Sequence, residues 1–82
     1  NALKEEIDFV VKEGKNVKQL IQVCYDISDF MTFDREKKVL FKAAEEFHCE
    51  NLLLITMSEE KEELLRGKKI KIIPVWKWLL ET

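Results

Sequence analysis

Three residues near the start of the chain have types and spacing that bear on chemistry. Asp8 interrupts the apolar run IDFVV, and Gln22 and Cys24 stand two apart in LIQVCYDI. A carboxylate in an apolar strand is costly unless it is hydrogen-bonded, paired or bound to a metal. Asp8 therefore reads either as a metal ligand or as a carboxylate satisfied by a turn, a backbone N–H or a lysine such as Lys12. A nucleophilic Cys24 needs a base or a positive environment that lowers its pKa. His48 is the single histidine, and nothing in the sequence places it beside Cys24. The plainer reading makes Cys24 a small apolar filler beneath a helix, because free cysteine is among the most buried residue types. On the same reading Gln22 is a hydrogen-bonded interior amide. Cys24, His48 and Cys49 do not have zinc-ligand spacing and form no CxxC pair. His48 at a helix end suits the helix dipole and solvent instead.

The elements that must position these residues follow from periodicity. Residues 6–12 alternate as a strand, with Ile7, Phe9 and Val11 on one face and Asp8, Val10 and Lys12 on the other. The turn EGKN leads to a second strand over residues 17–25. Leu20, Gln22 and Cys24 share one face of it, and Ile21, Val23 and Tyr25 the other. Apolar residues on both faces mark a strand covered on both sides. Residues 26–33 read as a loop. A helix is expected over 34–47 with Thr32 as its N-cap and Val39, Leu40, Ala43, Ala44 and Phe47 as its buried stripe. The continuous apolar run at 51–56 reads as an interior strand. Strand, helix, strand in this order implies a right-handed crossover and a parallel pair. Residues 58–63 read as an acidic linker, 64–70 as a hairpin around Gly67, and 69–73 as a strand. Pro74 opens a terminal helix over 75–81.

Bulk composition bounds the rest. Eighty-two residues make one domain, with 46% hydrophobic and 37% charged residues, as a folded chain requires. The net charge of −2 leaves no global basic footprint for a nucleic acid. Two cysteines do not make a disulfide framework. No run is long enough to cross a bilayer and no signal peptide is visible, so no membrane partner and a cytoplasmic location are expected. The chain starts at Asn1 without a Met, and it is expected to be the C-terminal piece of a longer protein.

The stretches EIDFVVKEG, QLIQVCYDI, NLLLIT and GKKIKIIPVWKWLL, in this order and spacing, resemble the C-terminal domain attached to archaeal AAA-type ATPases. That domain has a PD-(D/E)xK, or restriction-endonuclease-like, fold. The resemblance runs from residue 6 to residue 80. It implies an α/β fold, a small mixed β-sheet flanked by helices forming a truncated nuclease core. It also implies the rest of a parent ATPase as partner. Family nucleases hold Mg²⁺ with an Asp on the first hairpin strand and a Glu two residues before a Lys on the second. Asp8 matches the Asp, while Gln22 stands where the Glu belongs and Cys24 where the Lys belongs. The motif is degenerate, and the expected function is non-enzymatic: an accessory domain for binding or assembly, with no cofactor. The rival is a metal-dependent DNA nuclease, using Mg²⁺, whose missing groups come from elsewhere, such as Glu5 or Glu6. A third reading is a nucleic-acid-binding module without cleavage.

Three surface features complete the set of candidates. Arg35, Lys38 and Lys42 align on the helix and, with Lys37, are the candidate contacts for weak, salt-sensitive DNA binding. Glu36, Glu45 and Glu46 interrupt them, as in a solvated face. Trp76 and Trp78 lie about 200° apart on a helix, so one belongs in the core and the other at an interface. The strand at 6–12 is expected to carry an unpaired edge through which the chain dimerises.

Overall fold

A run of leucine and isoleucine with no polar alternation has to be covered on both faces, and this dictates the architecture. The computed structural model describes residues 7–81. Its elements are β1 (Phe9–Glu13), β2 (Asn16–Val23), α1 (Phe30–Phe47), β3 (Leu52–Thr56), β4 (Lys61–Leu65), β5 (Lys68–Pro74) and α2 (Val75–Glu81). All five residues of β3 are buried. The molecule is a small α/β fold with a five-stranded mixed sheet in the order β1-β2-β3-β5-β4.

β1 and β2 are antiparallel, β2 and β3 parallel, β3 and β5 parallel, and β4 and β5 antiparallel. The antiparallel hairpin at the start, the parallel pair and the crossing helix are those expected from sequence. Side-chain alternation divides the core into two layers. Leu20, Leu52, Leu54, Ile70 and Ile72 meet Phe33, Leu40, Phe41, Ala43 and Ala44 of α1 on one face. Ile21, Leu53, Ile55 and Ile73 meet Val75 and Trp78 of α2 on the other. The β4–β5 turn holds Arg66 at φ 52° and Gly67 at φ 81°. Two consecutive left-handed residues match the twist of a tight hairpin, which is why a glycine stands there.

Three expectations are corrected. The helix begins at Phe30, four residues before the expected start, because Asp29 and not Thr32 caps it. The Asp29 carboxylate accepts from the Met31 and Thr32 N–H groups at 3.1 and 3.4 Å and from the Thr32 hydroxyl at 3.1 Å. Phe30 and Met31 point to solvent, and Phe33 carries the apolar stripe back into this first turn. The 58–63 segment is not all linker: Lys61, Glu62 and Glu63 open β4. An edge strand tolerates charge and needs no apolar alternation, which hid it in the sequence. Finally, Ile7, Phe9 and Val11 do not share one buried face. Ile7 joins the α1-side core, while Phe9 and Val11 are exposed. Asp8 lies in a bend ahead of β1, which breaks the alternation. A register shift between Val11 and Lys12 kinks the β1 edge as well.

Replacing Asp29 with Ala removes the acceptor for two orphan N–H groups. The expected loss is about 1 kcal/mol of unfolding free energy, read from urea denaturation. The same change at Thr32 should cost clearly less.

Candidate functional site

Gln22 and Cys24 lie on the α1 side of the sheet at the end of β2, with Asp8 hydrogen-bonded alongside, and Gln22 is the centre of the group. Its side chain is 3% exposed. The amide oxygen accepts from the Asp8 backbone N–H at 2.9 Å. The amide nitrogen donates to the Glu36 carboxylate at 3.0 Å. The Asp8 carboxylate in turn accepts from the Val23 backbone N–H at 2.9 Å. A ring of contacts thus links the start of the β1 segment, β2 and α1. Asp8 is exposed rather than buried, and a backbone N–H satisfies it, which is one of the plainer uses its sequence context left open.

Cys24 is 5% exposed and sits among the α1-side core residues. Burial raises its thiol pKa above 9.0, and the nearby Glu36 carboxylate raises it further. The Arg35 guanidinium acts in the opposite direction without reversing the shift. The weak contact from Sγ to the Asp26 carbonyl, 3.7 Å, offers no proton acceptor of catalytic strength. Burial and the raised pKa both favour the packing reading of this thiol over the nucleophilic one. His48 ends α1 in the left-handed conformation at φ 54°, its N–H bonded to the Ala44 carbonyl. It is exposed, whereas Cys49 is buried.

Sequence reasoning missed Glu36. It was one of several charges on a mixed helix face, and its relation to Gln22 requires the β2–α1 packing to be known. The donor set does not suit a Mg²⁺ nuclease centre. A neutral amide, already bonded to a backbone N–H, stands where a carboxylate is needed, and a protonated thiol stands where a cation is needed. Among the described residues no three His, Cys, Asp or Glu side chains cluster so as to hold a metal. Glu5 and Glu6, the other candidate acids, lie outside the described residues.

The basic candidates separate. Arg35, Lys38 and Lys42 line one outward groove of α1. Lys37 does not join them. Its ammonium pairs with Glu63 of β4 at 2.7 Å and lies 4.1 Å from the centre of the Phe33 ring. Lys61 adds a second cation 5.0 Å from the same ring and 3.4 Å from Glu63. Lys37 therefore joins α1 to the edge strand instead of facing a ligand. Of the two tryptophans, Trp78 packs in the α2-side core and Trp76 is 57% exposed. Leu79 and Leu80, three and four residues on, are exposed with it.

No protein-family model, no curated protein and no solved structure matches this chain. Among the described residues no helix is long and apolar enough to cross a membrane.

Two outcomes follow from this geometry. In Gln22→Glu, the donor to Glu36 is lost and two carboxylates meet in a buried site. One of them must then take up a proton with a raised pKa. A raised acid pKa favours the folded state when protonated, so the variant's deficit shrinks as pH falls and is largest near neutrality. A loss of about 1–3 kcal/mol near pH 7 is expected from denaturation curves. The second outcome concerns Glu63. Partial burial raises its pKa, but the hydrogen bond and charge of Lys37, with help from Lys61, outweigh this and leave it below the ordinary 4.5. Its stabilisation is therefore complete above that value and disappears as pH falls through the lowered pKa. Glu63→Gln should cost about 1 kcal/mol near neutrality and flatten the acid limb of the stability–pH curve.

Proposed function

We propose that this chain is a catalytically inactive, nuclease-fold accessory domain of an archaeal AAA-type ATPase, serving binding or assembly. The observation that carries this reading is the use made of Gln22. At the position where the resembling family places a metal-binding carboxylate, the side chain is a buried amide. It braces the Asp8 backbone against Glu36. The order of hairpin, helix and parallel strand is consistent with a restriction-endonuclease-like core, and on this reading Asp8 and Gln22 stand at the metal-binding positions but make structural hydrogen bonds. The partner on this reading is the rest of the ATPase, in the cytoplasm. Trp76 supplies the contact, with Leu79 and Leu80 exposed one turn on: tryptophan is among the residue types most enriched at interface hot spots. The β1 edge adds a place for a second copy to pair, restricted to its first three residues by the register shift and by the charges of Lys12 and Glu13.

Incubation with Mg²⁺ or Mn²⁺ and duplex, branched or single-stranded DNA is expected to give no cleavage. Cleavage abolished by Asp8→Ala or Glu36→Gln would instead establish a metal-dependent nuclease with a relocated site, Glu36 supplying the missing carboxylate. Trp76→Ala is expected to change unfolding free energy by less than about 1 kcal/mol while weakening association with the ATPase portion, read by calorimetric titration.

A further inference from the structure

The first turn of α1 has an unusual surface. Phe30 is 71% exposed and Met31 80% exposed, although both stand in a well-capped helix whose opposite face is core. Half-buried Val39 lies two turns further along, and these three apolar residues line a shallow groove of about 430 Å³. Its rim is basic. Arg35, Lys38 and Lys42 border it against the single acid Asp34, which pairs with Lys38 at 2.8 Å. Arg35 and Lys42 are exposed. The groove runs from residue 30 to residue 42, about 18 Å along the helix axis. Two large apolar side chains in water gain nothing from folding, and of the three cations on this face only Lys38 faces an acid within the groove, Asp34.

We propose that this face of α1 docks an acidic amphipathic helix of a partner protein. Charge complementarity identifies the occupant. A three-turn helix laid alongside α1 covers Phe30, Met31 and Val39 with its apolar stripe and places acidic side chains against Arg35 and Lys42. The exposed thioether of Met31 adapts to the shape of the apolar partner surface. A nucleic-acid strand fits less well. Lys38 is committed to Asp34, and Glu45 and Glu46 continue the outward face of the helix, where a line of phosphates would meet like charge. A peptide helix sets its acids only where cations face them. This surface is separate from the Trp76 surface and does not depend on the nuclease resemblance.

The test uses the 82-residue chain and a fluorescein-labelled designed peptide helix of Leu, Ala and Glu. Its leucines form one stripe and its glutamates flank that stripe. Two controls carry the same label: a scrambled peptide of identical composition, and a single-stranded oligothymidylate. Anisotropy titration at physiological salt is expected to show saturable binding of the amphipathic peptide, with the scrambled peptide at least about tenfold weaker. Phe30→Ser and Arg35→Glu should each weaken binding about tenfold or more. Both residues are exposed, so thermal melts of the variants should coincide with that of the parent. Three results would overturn the proposal. They are no binding of the amphipathic peptide, equal binding of the scrambled one, and displacement of the peptide by a tighter-binding oligothymidylate sensitive to the same substitutions. The last would make the groove a nucleic-acid surface.

Discussion

The backbone of Leu52–Thr56 has to find hydrogen-bond partners on both sides and apolar cover on both faces, and the rest of the molecule is arranged to supply them. β2 and β5 lie parallel to it on either side. α1 covers Leu52 and Leu54, while α2 and its flanking residues cover Leu53 and Ile55. A parallel neighbour cannot be reached by a tight turn. That obligation sends the chain through α1 between β2 and β3, and through β4 before β5. Even the end of β3 is closed: the buried Thr56 hydroxyl accepts from the Glu59 N–H at 3.0 Å and turns the chain away from the sheet.

The joint between sheet and helix is the second organising feature. An 18-residue helix on a sheet of five short strands is held mainly by non-directional apolar contacts, which allow sliding. The Gln22 amide adds direction, since its two ends demand two different partners on two different elements. Lys37 repeats the device at the opposite edge, joining α1 to β4 through Glu63. A polar group buried with its hydrogen bonds made contributes little net energy, but it penalises every arrangement in which those bonds are lost. Gln22 thus specifies the register of α1 over the sheet.

What remains outside the core is unevenly distributed. Large apolar side chains are exposed at two helix surfaces, Phe30 and Met31 on α1 and Trp76, Leu79 and Leu80 on α2, and outside the helices at Phe9, Val11, Tyr25, Met57, Leu64 and Leu65. Among the described residues every buried side-chain nitrogen or oxygen is hydrogen-bonded. The interior is therefore satisfied, and the surface carries the unmet apolar burden. That division is the physical basis for proposing that the exposed apolar surfaces serve docking.

The sequence by itself determined the order and type of most elements. The β1–β2 hairpin, the parallel β2–β3 pair and the terminal helix from Val75 were legible, because alternation, helical spacing and the glycine turns are local signals. So was the division of Leu20, Gln22 and Cys24 from Ile21 and Val23, which needs only the two-residue period of a strand. It failed where charge or exposure disguised an element: β4 is an edge strand of mostly charged residues, and the first turn of α1 is an exposed apolar pair capped by Asp29. Only tertiary structure decided the role of the candidate residues. Glu36 and Gln22 are fourteen positions apart and meet because α1 crosses the sheet. Lys37 leaves the other cations of its helix because Glu63 of β4 lies beneath it. Such partners depend on which elements become neighbours, and no periodicity within a single segment encodes that.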